Sequence, residues 1–543
     1  MKAKFLFQGM ARVCLMIVLL GNALTIPGQI AFAKPLTAQT DECGTIIDTH
    51  WTITGSPYVI TCNASLTSGS LTIDPGVIIK FDSGARLDVY ANLSAQGAES
   101  NPIIFTSNNL TPARGDWGGF YFHSGSNGSI LSYAVVEYGM GISADNTSVL
   151  ISHSTIRSNS SSGVYLDNSQ STVSYNTITS NTATSGAGVY VNYGVATIDS
   201  NTISWNSSST RGGGISAYGW MGEATVTVTN NVIEHNSLGD YAGGGILFDS
   251  ANGLISNNMI ADNSVGNGSG GGVTIGGASG PTVTLQNNTI IRNSATTVGG
   301  GVETDGYTTI TGNYIAGNTA ASYGGIFYSY PGAWHGPSGI PVTCNAIVNN
   351  TGVGVYTSVL SPFHQNTIYG NSGYQFENGS ANNIDAVNNY WGTTDATQIA
   401  DGIYDQSDNS GLGVVSSEPF LSSSDECPPP DTGTPTPTVT ATGTPTLDIT
   451  STQTETATST PTLPSIGTFT PTSTEINALT LTPTQTVTET SIVTPSSTVT
   501  GTITPTPNPT LTPTATGTAY FNSTSTRTPT TTMRGPFTVT FTA

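Results

Sequence analysis

Four successive copies of a repeated motif put Trp205, His235, Asp262 and Arg292 at one equivalent position. A histidine, a carboxylate and a guanidinium held a few ångströms apart could serve as general base, orienting group and cation for a substrate carboxylate. Glu234 stands beside them in sequence. The bland alternative is a solvated ladder of opposite charges at a turn, where exposed pairs contribute little. A second column follows the glycine clusters and reads Tyr165, Tyr190, Ser216, Leu247, Thr274, Glu303, Phe327 and Tyr356. Two residues further on it reads Asp167, Asn192, Tyr218, Asp249, Gly276, Asp305, Ser329 and Ser358. Aromatic rings mixed with carboxylates on an exposed sheet can stack on sugar rings and accept hydrogen bonds from their hydroxyls. The candidate glycan-binding residues are therefore Tyr165, Asp167, Tyr190, Tyr218, Asp249, Glu303 and Asp305, with Trp205 from the first column. Aromatic residues also simply suit strand surfaces.

Glu303 and Asp305 lie on one strand face, near the separation of roughly 5–9 Å that paired glycosidase carboxyls adopt. Asp167, Asp249 and Asp305 fall on non-adjacent copies, which weighs against a site built from calcium carboxylates. Asp405, Asp408 and Asn409 offer ligands of the type calcium takes, although a turn accounts for them equally well. No cofactor is required by these residues, and no phosphate loop, nucleophile motif or zinc motif is present.

The elements that must position these columns come from the motif Asn-x-Ile-x-x-Asn. It recurs from Asn176 through Asn201, Asn231, Asn258, Asn288, Asn313, Asn345 and Asn366, with Ser154 opening an imperfect first copy. A period of 21 to 32 residues signals stacked repeats. Between copies stand glycine clusters and short alternating strands, as in Gly243-Gly-Gly-Ile246 and Thr225-Val-Thr-Val-Thr229. Three short strands joined by Gly and Asn turns describe one coil of an all-β solenoid. Equivalent side chains then stack ~4.8 Å apart, inward Ile and Val form a continuous core, and buried Asn amides bond to one another and to the turn backbone.

These repeats resemble the right-handed parallel β-helix superfamily, which includes pectate lyases, polygalacturonases, epimerases and phage tailspikes. The alternation of Ile-x-x-Asn with Gly-Gly-Gly-Ile is also similar to surface-adhesin repeats. Leu71-Thr-Ile-Asp-Pro-Gly-Val77 and Trp117-Gly-Gly-Phe-Tyr-Phe122 resemble opening coils, and Asn388-Asn-Tyr-Trp-Gly392 a closing coil, of bacterial secreted β-helix proteins. The resemblance covers roughly residues 43 to 425 and implies about 13–15 turns, a rod on the order of 60–70 Å, with the 43–70 and 392–428 stretches as caps.

Composition sets the remaining bounds. Only 8% of the 543 residues are charged, Gly numbers 64, and 12 Lys plus Arg face 33 Asp plus Glu. A polyanion of net charge −21 is repelled by nucleic acid and anionic lipid. Lys2, Lys4 and Arg12, an apolar stretch from Val13 to Ile26 and the Ala31-Phe32-Ala33 site read as an export signal over residues 1–33. The mature chain then carries no membrane span and is secreted or held at the cell surface. Its four cysteines, Cys43, Cys62, Cys344 and Cys427, allow three connectivities. Pairing Cys43 with Cys62 and Cys344 with Cys427 would pin each end of the folded region. Residues 34–428 form the β-helix domain, and the Thr/Pro-rich stretch at 429–543 lacks the apolar content to fold. Three function classes remain: an exported protein binding a polysaccharide or a neighbouring cell surface, a polysaccharide lyase, hydrolase or epimerase, and a structural surface rod. Oligomeric state is not legible in the sequence.

Overall fold

The computed structural model describes residues 39–427 apart from 48, 221–222, 278–281, 306, 330–339 and 425–426. The leader expected at 1–33 and the tail expected at 429–543 lie outside the described residues. The described chain is a parallel β-helix. Its strands run in three columns that bends join into one 38-stranded sheet.

One coil shows the plan. The strand Val189–Asp199 bends to serve sheet A with Val189–Asn192 and sheet B with Gly194–Asp199. Thr202–Ser204 then belongs to sheet C, and Ser207–Arg211 to a separate four-stranded sheet D. Each residue pairs with its equivalent on the next coil, Tyr165 with Tyr190 in sheet A and Ile178 with Ile203 in sheet C. Sheet C counts 14 strands from Thr40–Thr45 to Thr367–Tyr369, within the expected number of turns.

The motif explains this register. Ile156, Ile178, Ile203, Ile233, Ile260, Ile290, Ile315, Ile347 and Ile368 are all fully buried in one core. Each such side chain stabilises the fold by about 1.5–3 kcal/mol on leaving water. Two columns of buried Asn turn the corners. The Asn263 amide donates to the carbonyl of Ile233 at 2.8 Å and to Asn293 Oδ1 at 3.0 Å. Its own Oδ1 accepts from the backbone N–H and the amide of Asn236, both at 3.0 Å. Every polar atom of the side chain is thereby used, which a buried amide needs. The residue before this Asn is left-handed on every coil from Ser158 to Gly317, with φ between 54° and 64°. At the entry to sheet A, Gly243 has φ +82°, and a Cβ on Gly244 would stand 2.5 Å from the carbonyl oxygen of Gly271, so only glycine fits.

Two features differ from the sequence reading. The 43–70 stretch, expected only as a cap, carries the strands Thr40–Thr45, His50–Trp51, Tyr58–Leu66 and Ser70–Ile73, paired in the same columns as later coils. Its corners use other residues than the Asn motif, so the period is hidden there. Sheet D, formed by Thr182–Ser185, Ser207–Arg211, Ser237–Ala242 and Ser264–Ser269, is a fourth strand per coil that the three-strand reading missed. Its Ser, Gly and charged residues look like loop composition.

At the first end, Trp51 is fully buried and stacks on Tyr58 with centroids 4.7 Å apart. At the other end the helix Ala396–Asp401, capped by Asp395, adds Ile399 to the core. Disulfides join Cys43 to Cys62 and Cys344 to Cys427, the pairing favoured from sequence.

Candidate functional site

Sheet A carries the glycan-binding candidates, and sheet D changes how they are presented. The outward residues of its central coils, Ser216, Leu247 and Thr274, are buried. The expected flat exposed face is therefore divided. Rings are open at its two ends, and a cavity lies under the edge of sheet D between them.

At one end Tyr165 and Tyr190 lie 5.3 Å apart, and the Tyr165 hydroxyl donates to Asp167 at 3.2 Å. Asn192 donates to the other oxygen of Asp167 at 2.8 Å, so that carboxylate positions both a ring and an amide. Burial raises the pKa of the Tyr165 hydroxyl, and the Asp167 charge adds to it. At the far end Phe327 stacks on Tyr356 at 4.9 Å and on Tyr323 at 5.1 Å, with the Tyr323 hydroxyl donating to Glu377 at 3.4 Å.

Between them a cavity of about 140 Å³ is lined by Asp249, Glu303 and Asp305 from sheet A and by Tyr241 and Ser269 from sheet D. Glycine makes it. A Cβ on Gly276 would lie 2.3 Å from Asp305 Oδ1, so this coil's missing side chain is what lets Asp305 turn inward. The Gly277 N–H donates to that same oxygen at 3.1 Å, while Asp249 Oδ1 lies 3.0 Å from where a Cβ on Gly277 would stand. Two carboxylates from non-adjacent coils thus meet across one glycine pair. Arg211 of sheet D pairs with Asp249 at 2.9 Å and lies 5.3 Å from the centroid of Tyr218 and 5.5 Å from that of Tyr241. Ser269 and Thr274 donate to Glu303 at 2.5 and 3.3 Å.

Burial dominates the electrostatics here. It raises Asp305 to about 6, with the charges of Glu303 and Asp249 adding and the Gly277 N–H opposing. It raises Glu303 against the two hydroxyl donors, and Asp249 against the Arg211 charge. A carboxyl whose pKa burial raises to about 6, beside a second one paired with Arg211, is the arrangement of an acid and its partner.

Trp205, His235, Asp262 and Arg292 do occupy consecutive coils at one corner, but they divide into two separate contacts. Trp205 stacks on His235 with centroids 4.4 Å apart, and it is 61% exposed. Arg292 clamps Asp262 with two bonds of 2.9 and 2.7 Å. No hydrogen bond joins His235 to Asp262 among the described residues, and neither cavity described here includes any of the four. All four have left-handed backbone at the corner itself, which directs their side chains away from the coil.

The sequence reading missed Arg211, Tyr241, Ser269 and Gly277, all contributed by sheet D or by the turn after sheet A. Their only trace in the sequence is that Ser207 to Arg211 and its equivalents, polar as loops are, recur at the coil period. At the closing end, Asp405 accepts from Ser407 and from the Val415 N–H at 2.8 Å, and Asp408 accepts from the Asp405 N–H at 3.3 Å. These carboxylates are engaged with the backbone of their own turn. Among the described residues no cluster of three or more His, Cys, Asp or Glu is placed to hold a metal ion.

Residues 140–320 match the family described as a right-handed beta helix region, and residues 44–151 match the pectate-lyase-like beta helix domain. The chain belongs to the right-handed β-helix superfamily. The two matches overlap at residues 140–151 and together take in the opening coils and most of the Asn ladders. No curated protein and no solved structure matches the chain. In this superfamily one scaffold hosts many activities, so function rests on the face just described.

Proposed function

We propose that this chain is an exported β-helix protein that binds an extracellular polysaccharide along sheet A. The observation that carries the reading is the order of groups on one face: the Tyr165–Tyr190 pair, then the acidic cavity, then the Phe327–Tyr356 pair. Seven coil steps separate Tyr165 from Tyr356, about 34 Å at the strand spacing, the reach of a long glycan segment rather than a single sugar. Carboxylates outnumber Arg211 in the centre of the face, so an uncharged glycan fits it better than a polyuronate. Two disulfides and the signal-like first 33 residues support an oxidising, extracytoplasmic setting. Among the described residues no helix is long and apolar enough to cross a membrane.

The test is a panel of neutral and anionic polysaccharides against the full chain, with calcium and with chelator, read for binding and for released oligosaccharide. Retention of a neutral polysaccharide that falls at least ten-fold in Tyr165→Ala/Tyr190→Ala supports the reading. Retention indifferent to both that pair and Phe327→Ala/Tyr356→Ala sinks it.

A second reading, glycoside hydrolysis, is favoured by one observation: the Asp249 and Asp305 carboxylates flank Gly277, with burial raising both. Asp305 would give its proton to a leaving oxygen while Asp249 or Glu303 acts as base or nucleophile. Released oligosaccharide that disappears in Asp305→Asn with binding retained is the result this reading requires.

A further inference from the structure

Sheet C carries a second arrangement of rings and hydroxyls, on a different face from the acidic cavity. At the corner between sheets B and C, Tyr133 stacks on His153 at 4.8 Å and His153 on Tyr175 at 5.0 Å. The stack stops there, because the next coil places Ser200 in the same column, as the backbone bond from the Tyr175 N–H to the Asp199 carbonyl fixes. The face of Tyr175 toward Ser200 has no ring upon it, and the residue is 55% exposed. A cavity of about 540 Å³ runs along this corner from Glu99 past Tyr133 and His153, and ends at Tyr175, Ser200 and Thr202.

At the opposite edge of the same strands, Trp205 stacks on His235 above it, while the coil below places Ser180 in its column. Trp205 therefore opens downward toward the coil of Tyr175, and Tyr175 opens upward toward the coil of Trp205. The strands Thr177–Thr179 and Thr202–Ser204 lie between them, with Thr177 beside Thr202 in register. The column of Tyr175 and the column of Trp205 stand five residues apart, up to about 16 Å along the strand, a width that three linked sugar rings cover. The patch is thus bracketed diagonally by two open ring faces and floored by hydroxyls.

We propose that this patch is a second saccharide-binding site, taking an uncharged oligosaccharide that stacks one ring on Tyr175 and a later ring on Trp205. A sugar on Tyr175 occupies the space that a ring at position 200 would fill, and its hydroxyls meet Thr177, Ser200 and Thr202. Carboxylates prevail at the rim: Glu99 lines the cavity and Asp199 accepts from Ser200 at 2.9 Å, while Arg114 donates to the carbonyl of Ser180. A uronate would meet the Asp199 carboxylate with no excess of cation to offset it, which is why a neutral chain is the occupant.

The experiment is titration calorimetry of the full chain in a background carrying Tyr165→Ala, Tyr190→Ala, Phe327→Ala and Tyr356→Ala, which removes both ring pairs of sheet A. The probes are cellohexaose, maltohexaose, mannohexaose and, as a charged control, an oligogalacturonate. Binding of at least one neutral probe, weakened ten-fold or more by Trp205→Ala and by Ser200→Tyr, is expected. Ser200→Tyr extends the existing stack by one ring, and its left-handed backbone is the conformation that Tyr133 and Tyr175 already adopt in this column, so it is not a folding lesion. The proposal is overturned if no neutral probe binds in this background, if both substitutions leave binding unchanged, or if only the oligogalacturonate binds. Loss on Ser200→Tyr in the otherwise unaltered chain, with no effect of the Tyr165/Tyr190 pair, would support this site while counting against the sheet A reading.

Discussion

The buried asparagines decide the fold one residue at a time. The fully buried Asn263 side chain makes four hydrogen bonds, and its removal would leave the Ile233 carbonyl and both Asn236 donors short of partners. Asn263→Ala is expected to cost about 3–5 kcal/mol, since buried groups left unsatisfied cost about 1–3 kcal/mol each. Denaturant unfolding followed by circular dichroism measures it, and a change within 0.5 kcal/mol, roughly the effect of an ordinary surface substitution, would count against the ladder as the source of register. Asp305 behaves in the opposite sense. Its pKa is raised from 3.8 to about 6 by burial, so its contribution to stability is full below the ordinary value and is lost as pH rises through about 6. Asp305→Asn should therefore match the parent near pH 3.5 and exceed it by about 3 kcal/mol near pH 7, going by the cost of a shift of about two units. Thermal unfolding across that range checks the sign. The Asn columns were legible in the sequence because a buried amide leaves one choice of residue per corner. Asp305 was legible as a carboxylate but not as a raised one, since burial belongs to sheet D and not to its own strand.

At the scale of elements, glycine separates structure from site. A Cβ on Gly271 would stand 2.5 Å from the Gly300 carbonyl oxygen and 2.6 Å from the Ser294 backbone, where nothing can yield. On Gly276 its three nearest atoms all belong to the Asp305 carboxylate, the end of a side chain that can swing aside at the loss of its Gly277 bond. Gly271→Ala is therefore expected to lower stability by about 2 kcal/mol or more, the scale of overpacking costs. Gly276→Ala should fold almost as the parent does and lose glycan binding or turnover at the cavity. Paired melting and binding curves distinguish the two, and equal effects on both would contradict this division. The strands of sheets A, B and C could be read from alternation and the Gly and Asn turns. Sheet D could not, because Ser207–Arg211 and Ser237–Ala242 have the polar make-up of loops and become strands only when their neighbours above and below pair with them. Its omission is also why the four residues at the Trp205 corner outranked the cavity in the sequence reading. Their spacing was visible, whereas the enclosure of Asp249, Glu303 and Asp305 required a strand from outside the motif.

On the scale of the whole described molecule, each coil is held chiefly by its two neighbours, and the ends are where it opens. The disulfides sit at those ends, Cys43–Cys62 by the first coils and Cys344–Cys427 tying the last residues back to sheet B. Replacing either pair by serine should speed hydrogen exchange in the nearest coils and leave the central Asn ladders protected; uniform loss of protection would mean that the rod unfolds as one unit. Fold class was readable from residue type and period alone, while the faces that a ligand meets depend on which columns the coil leaves open. The account's central claim is that sheet A is the polysaccharide-binding face, and hydrogen-exchange footprinting with a bound neutral polysaccharide tests it most directly. New protection should appear in Val164–Ser174, Val189–Asp199, Ile246–Asp249, Val302–Thr304 and Thr319–Tyr328, together with Ser237–Ala242 of sheet D. Protection that leaves all of these unchanged, whatever other surface it marks, would contradict the claim.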